Sequence, residues 1–367
     1  MSIYLDWNAT APLRPEARAA LVASLDLPGN PSSVHGFGRR ARRVVEDARA
    51  RVAALVNVPP SQVVFTASGT EANNLALRAT GVARRLVLAT EHASVLEARP
   101  DVEVVPVHPD GLVDLDALAR LLAGGPGPAL VSVQAANNET GVIQPLGDVA
   151  ALARAHGAFL HSDGVQVAGR LPLDLMALGV DLFTLSAHKI GGPQGVGALV
   201  AAPRVGLEPI LRGGGQERRQ RAGTENVAGI AGFGAAAEAA MHDLDAYARL
   251  ADLRDRLEER LLEAVPEAVI FGRSAARLPN TTCVALPGIP AETQLMRFDL
   301  AGIAVSSGAA CSSGKVKASH VLTAMGAGAN LAGSAIRVSL GWTTTEAELD
   351  RFASTWVAMA KGLRKAA

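Results

Sequence analysis

The chain has 367 residues, a length that suits two domains or three. Hydrophobic residues make up 49% and charged residues 19%, which leaves ample apolar surface to offset chain entropy and excludes a disordered chain. Lys plus Arg balances Asp plus Glu at 35 each, so no net field draws the protein to nucleic acid or to an anionic membrane surface.

Between residues 61 and 200, short β-rich runs alternate with helical ones. Strands are expected at 63–66, 86–89, 102–107, 129–134, 159–161, 182–185 and 196–200. Helical spacing falls at 70–82, from 94, and at 114–122 and 145–156. Strands recurring with helices between them imply an α/β domain with a mainly parallel sheet covered on both faces. Residues 213–223 are rich in Gly and Arg, and 229–240 is a run of small residues. Leu244, Tyr247, Leu250, Leu253, Leu257 and Leu261 then mark one long amphipathic helix to about residue 264. It leads into a smaller α/β unit with strands at 281–286 and 335–340 and helices at 291–301, 316–325 and 346–363. The domain boundary is expected near residue 245.

The two cysteines, Cys283 and Cys311, are too few for a four-ligand zinc site or a disulfide framework, and no metal site is expected. The start has no basic stretch followed by an apolar one, and no apolar run approaches the roughly 20 residues that span a bilayer. A cytoplasmic protein with reduced thiols is the expectation.

In a parallel α/β sheet, ligands bind beyond the carboxyl ends of the strands. Reading strand ends in order gives TASGTE at 66–71, Glu91-His92, Gln134 leading to Asn137-Asn138-Glu139, His161-Ser162-Asp163 with Gln166, and Ser186-Ala187-His188-Lys189. All are expected on one rim. Singly, each has an ordinary reading: Ser68 and Thr70 as helix caps, His92 as a capping residue, Asp163 as a turn former. Lys189 is different, because it follows an apolar strand and precedes the glycine-rich run 191–197, which leaves room for a planar ligand. A lysine in a low-dielectric cleft has a depressed pKa and can act as a nucleophile toward carbonyls. Pyridoxal phosphate needs such a lysine, a carboxylate for its ring nitrogen, a stacking group and an anion site. Lys189, Asp163, His92 and the helix start at Ser68–Thr70 could fill those four roles.

Cys311 lies among Ser, Gly and Ala without apolar periodicity, so an accessible thiol is expected, whereas Cys283 reads as inert core of a strand. Arg337, in a β-like run, is either a sheet-edge charge or a fork for a substrate carboxylate. The GFGRRA run at 36–41 mimics a dinucleotide fingerprint but follows a loop instead of a strand, and the run 308–315 is one residue too long for a P-loop. The arginine-rich run at 39–43 reads as a solvated helix face.

Six ordered motifs carry a family resemblance: YLDWNAT at 4–10, GNPSSVH at 29–35, SAHK at 186–189, GGGQE at 213–217, RAGTEN at 221–226 and the Cys311 segment at 306–315. Over nearly its whole length the chain resembles cysteine desulfurases of the NifS/IscS type, pyridoxal-phosphate enzymes of the class V aminotransferase group. The resemblance implies fold type I, with a large cofactor-binding domain at 15–245 and a small domain at 1–14 and 246–367 that carries the Cys311 loop. By the same resemblance Lys189 carries the cofactor, Asp163 binds its ring nitrogen, and His92 stacks on the ring and assists proton transfer. Gln166 matches the residue that bonds the phenolic oxygen, and Asn138 an amide near ring and substrate. Gly69, Thr70, Ser186 and His188 match the phosphate-binding set, and Thr224 a phosphate ligand donated by the other subunit of a homodimer. Arg337 matches the arginine that holds the substrate carboxylate, and Asn8 and His35 fall in motifs near the substrate cleft. The implied reaction converts L-cysteine to L-alanine and leaves sulfur as a persulfide on Cys311, for delivery to a sulfur-acceptor protein such as an iron–sulfur scaffold. Selenocysteine lyase or class V aminotransferase chemistry on the same fold is the alternative.

Overall fold

The computed structural model describes residues 2–78, 80–125, 127–307 and 318–364. Its first strand, β1 (Ile3–Tyr4), stands apart from the strands that follow: β2 (Val63–Thr66), β3 (Arg84–Leu88), β4 (Glu103–Val105), β5 (Ala129–Ser132), β6 (Phe159–Asp163), β7 (Leu182–Ser186) and β8 (Gly197–Ala201). These seven form one sheet in the order β2-β8-β7-β6-β5-β3-β4. Neighbours pair in parallel except where β8 is involved, which runs antiparallel to both β2 and β7. The reason is the short connection over 187–196: it holds no crossover helix, so the chain has to return antiparallel.

Successive side chains of each strand enter opposite layers, as the pleat requires. Val63, Phe65, Leu86, Leu88, Val131, Phe183 and Leu185 pack on one side with the helices Gly36–Leu55 and Val227–His242. Val64, Val87, Leu130, Leu182 and Leu199 pack on the other with the helix Gly69–Arg78. The small residues of 229–240 let the two helices of the first layer approach closely. A Cβ on Gly234 would lie 2.6 Å from Ala48 Cα.

The second unit is built from β9 (Val269–Ile270), β10 (Thr281–Ala285), β11 (Ile303–Ala304) and β12 (Ala335–Ser339). An antiparallel sheet β12-β10-β9 lies beside the parallel pair β1-β11. Its core gathers Leu257, Leu261, Phe298, Phe352 and Trp356 with Ile3 and Leu5 from the amino-terminal stretch. Phe298 and Phe352 stack at 4.8 Å, and the buried Trp356 donates to Gln294 Oε1 at 3.1 Å.

Several boundaries differ from the sequence expectations. The helix expected at 70–82 ends at Arg78, and the strand expected at 102–107 stops at Val105, before Pro106, which has no N–H to pair. The long helix expected from 244 is two, Leu244–Ala248 and Leu250–Ala264, broken at Arg249 where ψ is −15°. The helix expected at 316–325 is described over His320–Ala324, capped by the Ser319 hydroxyl; residues 316 and 317 lie outside the described residues. Strands β1, β9 and β11, two residues each, were too short to carry a period. Among the described residues no helix is long and apolar enough to cross a membrane.

Candidate active site

The carboxyl ends of β2, β3, β5, β6 and β7 share one edge of the large sheet, and the second unit closes over it. The cavity between them measures about 350 Å³. Asn8, Gly69, Thr70, His92, Asn138, Asp163, Gln166, Ser186, His188, Lys189 and Arg337 line it together. Two site candidates lie outside its walls. Thr224 is exposed, and His35 caps the helix Gly36–Leu55 by accepting from Gly38 N–H at 3.3 Å. Cys311 lies outside the described residues. His161, expected on the rim, is in mid-strand and fully buried between Ser132 and Thr184 hydroxyls, where burial drops its pKa to about 3 and keeps it neutral.

At one end of the cavity the helix Gly69–Arg78 begins. Ser68 caps it, its Oγ accepting from Glu71 N–H at 3.1 Å, and Ala72 N–H makes the first bond of the helical turn to Ser68 O. Capping and anion binding are compatible here, because the first N–H groups of a helix have no intrahelical partner. Gly69 fits tightly: a Cβ there would lie 3.2 Å from Val165 Cγ1, which would have to give slightly, and in ordinary contact with Ser186 Cβ at 3.4 Å. The Ser186 side chain and His188 belong to the same wall. His188 Nδ1 meets Thr10 Oγ1 at 3.1 Å, and burial with the Lys189 charge lowers its pKa to about 4, so the ring is neutral.

Asp163 ends β6 with its carboxylate held from two sides. Asn73 Nδ2 donates to Oδ2 at 2.7 Å and Val165 N–H to Oδ1 at 3.1 Å. Asn73 also donates to Ser94 Oγ at 2.8 Å, and Ser94 in turn meets His92 Nδ1 at 2.8 Å. His92 caps the short helix Ala93–Leu96, since its Nδ1 accepts from Ser94 N–H at 3.1 Å. A neutral ring there carries its proton on Nε2. Cleft walls depress its pKa by desolvation, and the charges of Lys189 and His320 add to this while Asp163 opposes it.

Lys189 closes the short 3₁₀ turn Ala187–Lys189 after β7. Its Nζ donates to Asn8 O at 2.7 Å and Ala9 O at 2.9 Å. Burial first, then the Arg337 and Arg170 charges, lower its pKa to about 7, against the opposite pull of Asp163 and Asp6. A substantial fraction of neutral amine is therefore present near neutrality, as a nucleophilic lysine needs. Arg337 reaches the cavity from β12, where Nη1 donates to Asn138 O at 3.0 Å and Nη2 pairs with Asp6 at 2.6 Å; its buried Nε has no partner. Cys283 lies opposite Arg337 in the β10–β12 register, buried, with its thiol pKa pushed up by burial, as a core residue would be.

Two residues that support the site carry no signal in the sequence. Asn73 faces inward from the middle of a helix, and Arg170 lies in the turn after β6 and braces Asn8 and Gln166. Neither stands at a strand end, and no motif marks them.

The Aminotransferase class-V family model matches residues 3–352. A cysteine desulfurase of Cereibacter sphaeroides is 45% identical over 364 residues, covering 95% of this chain and 93% of the relative. A solved NifS-like protein from Rickettsia africae ESF-5 superposes with a TM-score of 0.92 at 37% identity, covering 99% of this chain and all of the other. A chain described as SspA in complex with cysteine is 27% identical with a TM-score of 0.77, covering 92% of this chain and 99% of that one. The chain belongs to the class-V aminotransferase family, on the large and small α/β units described above.

Proposed function

We propose that the protein is a pyridoxal-phosphate-dependent cysteine desulfurase. The net reaction takes L-cysteine and the Cys311 thiol to L-alanine and a Cys311 persulfide, in which an S–S bond forms, the substrate C–S bond breaks and a hydrogen ends on the alanine methyl. The observation that carries this reading is the single cavity in which Lys189, with its lowered pKa, meets Asp163, His92 and Arg337. The relatives described as cysteine desulfurases and the neighbour solved with cysteine support the substrate.

The residues fit the cofactor on their own chemistry. The cradle that a Cβ on Gly69 would crowd, the start of its helix and the neutral His188 suit a phosphate. Asp163, held by two donors, suits a protonated ring nitrogen; Gln166 Nε2 is a donor for a phenolic oxygen; and the Lys189 amine suits the carbonyl carbon. When bound, the group supplies an electron sink for bond breaking at the substrate. With it in place, Lys189 and His92 would move protons at the reacting carbons. Arg337 holds the substrate carboxylate by exchanging one of its present partners, Asp6 or Asn138 O. Asn8 and Asn138 line the substrate side.

The reading extends to a homodimer in which Thr224 completes the partner's phosphate site and His35 lies near the shared cleft. Val34 and Phe37, exposed on either side of His35, support such an interface. The domain division proposed is 15–245 against 1–14 and 246–367, supported by the separate cores around Phe183 and around Trp356. Sulfur delivery to an acceptor protein for iron–sulfur assembly, in the reducing cytoplasm where a reactive thiol survives, completes the proposal. The test is production of alanine and sulfide from cysteine with a reductant: Lys189→Ala should abolish both and lose the cofactor's visible absorbance. Cys311→Ala should keep the absorbance and lose turnover. Undiminished turnover in Cys311→Ala would overturn the desulfurase reading.

A further inference from the structure

Arg170 is 2% exposed, and none of the ion pairs among the described residues includes it. Its charged or ionisable neighbours are Tyr247, whose ring lies 5.9 Å away, Arg337 and Lys189. A cation buried without a carboxylate is costly, and such a group is kept where the site uses it. Its Nη1 donates to two side-chain amide oxygens, Asn8 Oδ1 at 2.6 Å and Gln166 Oε1 at 2.8 Å. Its Nη2 reaches Trp7 O at 3.5 Å, and Nε has no partner.

A guanidinium has donors only, so both amides must turn their oxygens to it and their NH₂ groups away. Gln166 Nε2 accordingly donates to Asn8 O at 3.0 Å, and Asn8 Nδ2 to Asn138 O at 3.1 Å and Thr281 Oγ1 at 2.9 Å. Asn8 O is also the acceptor of Lys189 Nζ. A continuous network thus joins Arg170 to the cavity lysine.

We propose that Arg170 is a positioning residue of this site: its nitrogen Nη1 sets which way Gln166 faces the cavity and, together with Asn280 Nδ2, which way Asn8 does, and its charge, linked to Lys189 through Gln166 and the Asn8 carbonyl, favours the neutral amine. This rests on reading Lys189 as the cofactor lysine. The groups facing Lys189 are consistent with it, since Arg337 and Arg170 disfavour its charge while Asp163 and Asp6 favour it. With Arg170 removed, the carboxylates face one cation fewer.

The test uses the full chain freed of pyridoxal phosphate and reads Lys189 directly. The protein has only five lysines, Lys189, Lys315, Lys317, Lys361 and Lys365, so trace acetylation across a pH series with peptide mass spectrometry resolves each. Wild type should reach half-maximal Lys189 reactivity near pH 7. Arg170→Met should raise that midpoint by about one pH unit, the order expected for loss of one nearby charge. Arg170→Lys keeps the charge but not the fork, so its midpoint should stay with wild type while pyridoxal phosphate leaves about fivefold faster or more. A midpoint unchanged in Arg170→Met overturns the proposal. So does a wild-type midpoint in the ordinary lysine range, or an Arg170→Lys variant that releases cofactor at the wild-type rate, and either decides the matter should Arg170→Met not fold. If wild type binds no pyridoxal phosphate, the desulfurase reading fails, and the acetylation midpoints still decide the part played by the Arg170 charge.

Discussion

Glu91 is fully buried behind His92, and neither of its carboxyl oxygens has a hydrogen-bond partner. Burial and then the nearby Asp163 raise its pKa well above 4.5, opposed only by the Gln134 and His92 N–H dipoles. The folded protein therefore keeps Glu91 protonated where the unfolded chain ionises it. Its contribution to stability is complete below about pH 4.5 and declines as pH rises. Glu91→Gln should melt higher than wild type at pH 8, by about 2 °C or more, with the difference vanishing toward pH 4; equal melting at both pH values would contradict a neutral Glu91. Asn73 offers a second check. Asn73→Ala removes one of two donors to Asp163, and a hydrogen bond to a charged group is worth about 1.5–3 kcal/mol, so pyridoxal phosphate affinity measured by titration should fall about tenfold or more. Lys189, Asp163 and His92 were legible because each ends or closely follows a recognisable strand. Asn73 and Arg170 were not, because they act through other side chains, and the contacts that give them a role form only when distant segments meet.

The segment around the short 3₁₀ turn Gln216–Arg219 holds three consecutive non-glycine residues at positive φ, Glu217 at 43°, Arg218 at 54° and Arg219 at 68°. Such backbone persists only where its surroundings over-determine it. Here Glu217 is buried and makes a two-pronged pair with Arg49 at 2.7 and 2.8 Å, while also accepting from Phe65 N–H at 2.8 Å. Arg221 then pairs with Glu71 on the helix Gly69–Arg78, which ties this segment to the cradle end of the cavity. Glu217→Ala leaves the buried Arg49 guanidinium with only the exposed Glu46 as a carboxylate partner, and a denaturation midpoint should report a loss of about 3 kcal/mol; a loss below about 1 kcal/mol would mean the pair does not hold the turn. Alternating periods made the large sheet and its order of strands and helices readable. The break at Arg249 and the two-residue strands were not readable, since tertiary packing decides them and a local period does not.

At the scale of the whole molecule, the site is assembled from remote parts of the chain: Asn8 from the amino terminus, Asp163 and Lys189 from the sheet, Arg337 from the second unit. Thr224 is exposed and lies outside its own chain's cavity, as a residue serving a partner would. Mixing Lys189→Ala and Thr224→Ala subunits should therefore restore activity that neither variant has alone, because each mixed dimer contains one site with neither defect. Recovery no greater than the sum of the two parents would contradict the shared site. The family resemblance proposes Lys189 and Thr224 for such a shared site, while the contact that brings Asn8 O to Lys189 Nζ came only with the folded chain.

In the proposed reaction, sulfur leaves cysteine onto Cys311. A single turnover with L-cysteine, without reductant, followed by alanine quantification and peptide mass spectrometry, tests it most directly. One alanine is expected for each Cys311 carrying one extra sulfur atom, with an unmodified Cys283 and no alanine from Cys311→Ala. Alanine formed in equal amount by Cys311→Ala, or with Cys311 left unmodified, would contradict it.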